Sequence, residues 1–457
     1  MDPYGYTDNN NDKNRGRFSN QYPHPDVMIE QQNMQNTPSY SGEQYSVGAS
    51  KEPGKSGFWP GFLVGIMVTL LLVAGTWSAR SIYRNIFASK EAMTEDEDSV
   101  TTSEVIEKIQ KIEGIIEDYY YKEEDIDTEK MQDGMYAGLV NSLEDPYSVY
   151  YNEEELTELL ESTEGIYYGI GAYMTLDQKT NCAMVTGTIA DTPAEEAGLR
   201  PGDLVMEVDG ENMQGQTLDE VVAKVRGDEG TNVHLTIYRE GEADFLEFDI
   251  TRRKVESPTV TYEMLEHDIG YIQITEFDDV TTDQFTDAYA TIKGSNAKGL
   301  IIDLRGNPGG NVDTVVSIAR QILPEGLIFY TEDKNGKCEE YTCDGKNEIQ
   351  IPLVVLVDSY SASASEILSG AIKDYGIGQL VGTTTFGKGI VQRVISLSDG
   401  TALKLTESSY YTPSGANIHG IGIEPDVEVP FDSDAYYDDG IDNQLEKGIE
   451  VLLDMMD

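Results

Sequence analysis

The sequence predicts a multidomain chain of mixed α+β and α/β class, and three observations lead to that prediction. Residues 256–430 alternate short apolar runs with segments of helical periodicity, which indicates an α/β layered core. Ahead of this core lie a β-rich region, 165–252, and a helical region, 98–164. An uncharged apolar stretch nearer the N-terminus is long enough to cross a membrane. At 457 residues the chain has room for two or three domains plus tails.

The N-terminal part divides into a polar tail and an apolar segment. Residues 1–54 are rich in Asn, Gln, Ser, Tyr, Pro and Asp, so we expect them to be disordered. Gly57 to Trp77 forms about 20 residues without a charge, the length that spans a bilayer, with Trp59 and Trp77 where interfacial aromatic residues belong. A cleaved signal peptide is the alternative, which the long polar lead disfavours. We expect residues 55–80 to be a single membrane anchor.

Three helices are predicted in the segment that follows. Val105, Ile109, Ile112 and Ile116 recur at helical spacing between Ser99 and Tyr121. The second predicted helix is Met131–Leu143 and the third, which is acidic, is Glu153–Glu164.

The α/β core contains five predicted strands and three predicted helices. The strands are Tyr271–Phe277, Leu300–Leu304, Leu327–Thr331, Leu353–Asp358 and Leu380–Thr384, and the helices are Thr282–Ile292, Asn311–Leu323 and Ser363–Tyr375. Residues 431–457 form an acidic C-terminal tail, with a short helix that ends near Met455.

A candidate nucleophile lies where the strand at Leu353–Asp358 turns into the next helix. The turn contains Ser361, Ser363 and Ser365 among small residues. A serine at such a corner holds its hydroxyl in the open and points its backbone amides outward, as attack on a carbonyl requires. Small residues that merely allow close helix packing are the alternative explanation of this turn.

A candidate general base lies further along the chain. Lys388 stands between two glycines, so that backbone can approach it and enclose its stem. Lysine is a base only when neutral, and lowering its pKa from about 10.4 to near 7 corresponds to about 4 kcal/mol, which burial can supply. Gln392, four residues on, is placed to orient the amine. A surface turn is the ordinary reading of a lysine between glycines.

A third segment, Gly299–Gly310, is a buried strand that ends in a glycine turn. Amides at such a turn bind anions and can stabilise the oxyanion of acyl transfer. Taken alone, the segment is an ordinary loop; the order and spacing of all three segments favour a catalytic site.

These segments resemble the motifs of the carboxy-terminal processing proteases, which are serine peptidases with a Ser-Lys dyad. The resembling motifs are Ser361–Glu366, Thr385–Gly389 and Asp303–Gly310, within a collinear resemblance over roughly residues 98–430. The resemblance implies that Ser363 is the nucleophile, Lys388 the general base and Gln392 its orienting partner. It implies oxyanion donors at the amides of Ala364 and one of the pair Gly309-Gly310, with Gly309 favoured, and an accessory position at Glu366.

Residues 165–252 resemble a PDZ domain, a β-rich fold with two helices. Tyr168, Gly169, Ile170 and Gly171 resemble its carboxylate-binding loop, whose amides would take the C-terminus of a peptide. The predicted helix Leu218–Arg226 presents Leu218, Val221, Val222 and Val225 on one apolar side, where core packing is the simpler role for most of them. A peptide would add as a strand in the groove beside this helix, with an apolar last residue beside Val221 and Val225.

The family resemblance also implies features that the residues alone leave open. Arg226 matches a position linked to gating. The helical segment 98–164 is similar to one that often pairs protomers, so we expect a homodimer or higher oligomer. Lys51 and Lys55 balance Arg80 and Arg84 across the anchor, so charge does not orient it. The resemblance favours an inside N-terminus, with the catalytic part extracytoplasmic at the cell membrane.

The charge and cysteine content argue against several kinds of partner and against a disulfide framework. With 32 Lys and Arg against 83 Asp and Glu the net charge is −51, which argues against binding nucleic acid or an anionic membrane surface. Cys182, Cys338 and Cys343 make no disulfide framework, and the last two would lie roughly 16 Å apart on one extended strand. We expect free thiols, no metal constellation and no cofactor.

Two other functions compete with an endopeptidase that cleaves by acylating Ser363. A catalytically silent PDZ scaffold would bind tails without cutting them; the presence of Ser363, Lys388 and Gln392 together argues against it. A histidine-based hydrolase would pair His419 with Asp358, but none of the four histidines stands in a recognisable catalytic context.

Overall fold

The structure is a computed structural model that describes residues 99–457. The predicted disordered tail, 1–54, and the predicted membrane anchor, 55–80, lie outside the described residues. Within residues 99–457, no helix has both the length and the apolar character needed to cross a membrane. The described residues fall into two units, 99–132 and 133–457.

The first unit contains the predicted N-terminal helix. Helix α1 is Ser103–Tyr119, and its start is fixed by the side chain of Thr102, which accepts a hydrogen bond from the Val105 amide. A single 3-10 turn, Glu123–Asp125, leads to helix α2, Thr128–Asn141, which continues into the second unit.

Strand β1, Val149–Tyr151, and helix α3, Glu153–Glu164, precede the β-rich domain. A capping box starts α3: Asn152 accepts from the Glu155 amide, and the Glu155 carboxylate accepts from the Asn152 amide. Gly165 ends the helix in the left-handed conformation, with φ 66°.

Two short strands connect this domain to the core. Strand β2, Ile166–Gly169, enters the domain and pairs antiparallel with β9, Arg253–Glu256, which leaves it. The Ser257 amide then donates to the Gly165 carbonyl at 2.8 Å, so the entry and exit of the domain are joined.

The β-rich domain is a sheet in the order β3-β4-β5-β7-β8, with β6 paired to β5. Its strands are β3 (Ala172–Asp177), β4 (Cys182–Thr188), β5 (Leu204–Val208), β6 (Glu211–Asn212), β7 (Asn232–Tyr238) and β8 (Leu246–Thr251), and its helices are α4 (Pro193–Ala197) and α5 (Leu218–Val225). Inward side chains such as Val205, Val233 and Leu235 are fully buried and form its core. Strand β3 is an edge strand, and α5 packs beside it.

The catalytic core is built on a six-stranded sheet in the order β10-β11-β12-β15-β16-β19. These strands are β10 (Val260–Leu265), β11 (Ile269–Ile274), β12 (Gly299–Asp303), β15 (Leu353–Val357), β16 (Gln379–Gly382) and β19 (Val427–Glu428). All neighbours pair in parallel except β10. Strand β15 is buried on both faces, as its apolar run predicts.

Helices cover both faces of this sheet. Helices α6 (Thr281–Gly294), α7 (Val312–Ala319) and α8 (Ala364–Tyr375) pack on one face with Ile302 and Val355. Helix α9, Asn443–Met456, packs on the other face, where Leu452 meets Ile301 and Val354. The core is therefore a three-layer α/β arrangement, as expected.

A second sheet completes the core, in the order β1-β18-β13-β14 with β17 paired to β18. Its further strands are β13 (Glu325–Asp333), β14 (Cys338–Asp344), β17 (Ile390–Ser396) and β18 (Ala402–Tyr411). Five strands of the core, β10, β14, β17, β18 and β19, were not among the predicted strands. The remaining short elements are a 3-10 turn, Glu266–Asp268, and a π-helical turn, Ala435–Asp439.

The structure corrects the account of the acidic C-terminal tail. Residues of α9 bury apolar side chains against the sheet, and Arg305 in the core binds the Asp442 carboxylate at 2.8 Å. The end of the chain is therefore a layer of the core. The cysteines are free thiols, as expected, with Cys338 and Cys343 on the same strand, β14.

Candidate active site

Ser363 occupies a strained corner between β15 and α8. Its φ of 59° and ψ of −112° are unusual for a residue with a side chain. The tyrosine hydroxyl of Tyr410 donates to the Ser363 carbonyl at 3.2 Å, and the Ser363 amide donates to Glu366 Oε2 at 2.8 Å. The surrounding structure thus holds the serine in this conformation, and strain of this kind clusters at functional sites.

The three serines of the turn are equally buried but differ in their hydrogen bonds. The Ser361 hydroxyl donates to the Leu304 carbonyl at 2.8 Å, and the Ser365 hydroxyl donates to the Asn307 carbonyl at 3.1 Å. Both hydroxyls therefore tie the turn to the loop after β12. Ser363 is the only one of the three with a positive φ, and this strained conformation favours it as the reactive serine.

Lys388 is enclosed, as its flanking glycines predicted, with 1% of its surface exposed. A Cβ on Gly387 would lie 2.8 Å from the Gly422 amide, and one on Gly389 would lie 2.6 Å from the His419 amide, so only glycine fits on either side. The Lys388 Nζ lies 4.7 Å from the ring centroid of Tyr147. Burial of this kind disfavours an ammonium and favours the neutral amine.

Glu366 joins the serine motif to the lysine motif. Its Oε2 accepts from the amides of Ser363 and Lys388 at 2.8 and 2.9 Å, while its Oε1 accepts from the Thr385 hydroxyl and the Gly387 amide. Burial raises the pKa of the Glu366 carboxyl, against these hydrogen bonds, which lower it. The family resemblance implied only an accessory position for Glu366; in the structure its carboxylate connects the two motifs.

Gln392 lies on β17, at the irregularity where its pairing with β18 shifts between Val391 and Gln392. The side chain is fully buried, and among the described residues neither its Nε2 nor its Oε1 has a hydrogen-bond partner. A buried amide in this condition is costly, so a functional role explains it better than a structural one.

The glycine turn after β12 lies directly against Ser363. A Cβ on Gly309, where φ is 110°, would lie 2.7 Å from the Ser363 Cβ and 3.0 Å from the Ala364 amide nitrogen. The Gly309 amide itself donates to Asn307 Oδ1 at 2.8 Å. The Ala364 amide is the first of helix α8, where amides have no carbonyl partner within the helix. The Gly309 amide can donate to an oxyanion only after its hydrogen bond to Asn307 Oδ1 is broken.

Three residues at the site were not predicted from the sequence. Tyr147 covers the Lys388 amine, Tyr410 supports the Ser363 carbonyl, and Asn307 anchors the glycine turn by donating from Nδ2 to the Ile274 carbonyl. Burial, with a smaller effect of the Glu366 charge, raises the pKa of the Tyr410 hydroxyl well above its ordinary value, so it stays a donor.

The alternative pairing of His419 with Asp358 receives no support. The Asp358 Oδ1 accepts from the amides of Gly306, Tyr360 and Ser361, so this carboxylate caps a turn. His419 is exposed, and its amide donates to Asn417 Oδ1.

A groove of about 350 Å³ lies between β3, α5 and the catalytic core. Gly169, Ile170 and Gly171 line it, whereas Tyr168 does not and its neighbour Tyr167 does. The prediction for Val221 was wrong: this side chain is fully buried in the domain core, and Val222 lines the groove with Val225.

Arg226 also lines this groove, immediately after α5. Its Nη1 binds Glu161 Oε2 of helix α3 at 3.1 Å, and its guanidinium lies 5.0 Å from the Tyr167 ring centroid. These contacts link the β-rich domain to the helix before it; the gating role stays a prediction.

Comparison with known proteins identifies the family to which the chain is similar. Peptidase family S41 matches residues 268–429, the PDZ domain matches 184–239, and the N-terminal domain of the activating protease CtpB matches 69–155. The carboxy-terminal processing protease CtpA of Bacillus subtilis is 35% identical over 364 residues, which cover 79% of this chain and 76% of that protein.

Two further relatives show the extent of the match. A probable CtpA-like serine protease of Staphylococcus aureus is 37% identical over 71% of this chain, but the match spans only 64% of that protein. The solved structure of the photosystem II D1 C-terminal processing protease is 31% identical, with a TM-score of 0.40, and the match covers 64% of this chain and 80% of that one. The chain therefore belongs to the carboxy-terminal processing proteases of peptidase family S41 and is a serine-type peptidase with a PDZ domain.

Proposed function

We propose that this protein is a membrane-anchored endopeptidase that recognises the C-terminal tails of protein substrates and cleaves them through a Ser363-Lys388 dyad. The observation that carries the proposal is the arrangement around Ser363: a serine in a strained conformation is joined through Glu366 to a fully enclosed lysine.

In the proposed mechanism the neutral Lys388 amine takes the proton of the Ser363 hydroxyl, and Oγ attacks the carbonyl carbon of the scissile bond. The negative oxygen that forms accepts hydrogen bonds from the amides of Ala364 and Gly309. As the C–N bond breaks, the Lys388 ammonium returns its proton to the departing amine. Water then attacks the acyl-enzyme while Lys388 takes its proton. The bond between Ser363 Oγ and the acyl carbon breaks, the Lys388 ammonium returns the proton to Oγ, and the carboxylic acid product leaves.

Gln392 is proposed to orient the lysine amine, because it is a fully buried amide on the strand that follows Lys388. Lys388→Arg would place a permanent cation at the same point, since a guanidinium does not deprotonate near neutral pH. The dyad therefore requires lysine itself and not merely a positive charge.

The PDZ groove is proposed to hold the substrate tail. Amides of Gly169–Gly171 would pair with the terminal carboxylate, and the tail would add to the open edge of β3. Val222 and Val225 offer an apolar wall for the last side chain, so substrates with apolar C-termini are favoured.

The anchor and its orientation are proposed from the sequence and the family resemblance. The stretch Gly57–Trp77 would hold the protein in the cell membrane, with the catalytic part outside the cytoplasm. Pairing of protomers through the helical N-terminal segment is proposed on the same resemblance.

The test is hydrolysis of peptides with varied C-termini by the full-length protein in detergent, beside the Ser363→Ala variant. We expect cleavage by the wild type that depends on the tail, and none by the variant. Tail binding without cleavage by the wild type would instead support the silent scaffold.

A further inference from the structure

Two charged side chains line the groove between the PDZ domain and the core, and each comes from a different domain. Arg226 follows α5 in the PDZ domain, and Glu276 follows β11 in the catalytic core. The other described residues that line the groove are uncharged, for example Met174, Val222 and Thr259. Any recognition of charge along a bound tail therefore depends on these two side chains.

The two charges differ in whether they have a partner within the protein. Arg226 Nη1 binds Glu161 Oε2 of helix α3 at 3.1 Å, and its guanidinium lies over the Tyr167 ring. The Glu276 carboxylate is partly buried and makes no hydrogen bond or ion pair with any of residues 99–457. Because a buried charge without a partner is costly, a cation carried by the tail would stabilise this carboxylate.

The threonine hydroxyls of the core wall bind other groups and not Glu276. The Thr259 hydroxyl forms a hydrogen bond of 2.7 Å with the Thr281 hydroxyl, and the Thr275 hydroxyl donates to the Thr259 carbonyl at 3.2 Å. The Thr281 hydroxyl also donates to the Glu276 carbonyl at 3.0 Å, which fixes the backbone from which the carboxylate extends. The core wall therefore presents a carboxylate to the groove from a fixed position.

Glu276 is ionised at neutral pH, although burial raises its pKa to about 6. Burial, together with the charges of Glu276 and Asp279, raises the pKa of the neighbouring Asp278 to about 8, so Asp278 is largely protonated at neutral pH. The Asp279 carboxylate accepts from Asn311 Nδ2 at 2.6 Å and faces the charge of Asp313. Glu276 therefore supplies the negative charge of this wall, and that charge is lost as the pH falls through about 6.

The groove has room for several residues of a tail. Beyond the carboxylate-binding loop it is lined by three successive residues of β3, Ala172, Tyr173 and Met174. A tail that adds to β3 pairs its residues with these one by one, and each residue advances the strand by about 3.3 Å. About three residues before the last one therefore lie in the groove, opposite the wall that contains Glu276.

We propose, resting on the proposed function, that Glu276 forms a subsite for a basic side chain, so that preferred tails carry lysine or arginine shortly before an apolar C-terminus. The terminal carboxylate binds the amides of Gly169–Gly171, and the ammonium or guanidinium group pairs with the Glu276 carboxylate. The same carboxylate repels an acidic side chain at that point, so acidic tails are disfavoured. The substrate class is thereby narrowed from apolar tails to tails that are basic and then apolar.

The test measures tail binding by fluorescence anisotropy on the full-length Ser363→Ala protein in detergent. The probes are N-terminally labelled five-residue peptides with a free carboxylate, an apolar last residue and lysine at the second-, third- or fourth-last position. Each has a matched peptide with Nε-acetyl-lysine, which keeps the side chain but removes its charge. Near pH 7.5, lysine should lower Kd about tenfold at one or more positions. Glu276→Gln should reduce this preference to less than about twofold, whereas Glu263→Gln, on the exposed part of β10, should keep it.

A pH series on the same protein needs no substitution at Glu276 and decides the proposal even if that variant does not fold. The preference for lysine should disappear between about pH 7.5 and about pH 5, because Glu276 gains a proton while the tail carboxylate stays ionised. A preference that survives at low pH overturns the subsite, as does equal binding of lysine and acetyl-lysine peptides near pH 7.5. If free tails bind without such a preference, the subsite fails and the proposed tail recognition stands. If no free tail binds, the proposed tail recognition falls and the subsite with it.

Discussion

The active site and the tail-binding groove are built in opposite ways. Ser363, Glu366 and Gln392 are fully buried, and every motif at the active site is tied to another by hydrogen bonds to Glu366 or Asn307. The groove is open, with Tyr173 46% exposed and Arg226 held by an exposed ion pair. A site proposed to attack one carbon atom is held by many hydrogen bonds, whereas a groove proposed to accept varied tails is lined by residues of two domains.

This comparison predicts that substitutions in the active site abolish the chemistry, whereas changes in the groove alter affinity by smaller factors. The largest effect is expected at Ser363. Ser363→Ala removes the only oxygen proposed to form the acyl-enzyme, so kcat/KM should fall by at least about a thousandfold while the melting temperature is retained.

Ser361→Ala and Ser365→Ala are the matched controls for that variant. Ser365→Ala loses the hydrogen bond to the Asn307 carbonyl, and Ser361→Ala loses both the bond to the Leu304 carbonyl and the bond from the Asp358 amide. Each bond is worth about 1 kcal/mol of stability, and both variants should keep most of the activity. Activity lost in Ser361→Ala and kept in Ser363→Ala would show that Ser361 is the nucleophile and that the assignment to Ser363 is wrong.

The next effect concerns Lys388. Lys388→Arg and Lys388→Ala should be equally inactive, because neither side chain can accept the serine proton near neutral pH. In wild type, kcat should rise with pH along a limb set by deprotonation of the lysine. An active arginine variant would mean that Lys388 acts by its charge alone.

A smaller effect is expected in the groove. Hydrogen bonds to a charged group are worth roughly 1.5–3 kcal/mol, so amidation of the tail should weaken its binding about ten- to a hundredfold. Isothermal titration of the Ser363→Ala protein with free and amidated tails measures this difference. Equal binding would refute carboxylate capture and leave the dyad untouched.

The smallest effect is expected at Asp278, between the groove and the active site, and it concerns the free energy of unfolding. The pKa of Asp278 is raised from 3.8 to about 8, so the folded protein holds a proton that the unfolded chain has lost between these pH values. Stability should therefore fall as pH rises through this window. Asp278→Asn should flatten that slope and stabilise the protein at the alkaline end, as chemical denaturation at several pH values would show; an unchanged slope would contradict the shift.

The sequence predicted the active site better than it predicted the groove between the PDZ domain and the core. The strand, turn and helix around Ser363 follow from a local pattern, and so does the enclosure of Lys388 between glycines. The positive φ that distinguishes Ser363 from Ser361 and Ser365 is a property of the folded turn, whose Ser361 and Ser365 hydroxyls bind carbonyls 57 and 58 residues away along the chain. No local pattern reports such contacts, so the sequence distinguished Ser363 only through the family spacing.

The misses have the same physical origin. Glu276 reaches the groove from the catalytic core, and Tyr147 reaches Lys388 from a turn before the PDZ domain, so neither position follows from its own neighbourhood. The C-terminal helix was predicted, but its packing on the core was not, although Leu445, Ile449 and Leu452 recur at helical spacing and indicate an apolar face. The acidic residues between them obscured it.

The identity of the acylated residue tests the central claim most directly. The full-length protein is mixed with a peptide ester, quenched in acid within seconds, digested and mapped by mass spectrometry. The account predicts an acyl group on the peptide that contains Ser363, assigned to Ser363 by fragmentation and absent from Lys388→Arg. An acyl group on Ser361 or Ser365, or full hydrolytic activity without any acylated serine, would contradict it.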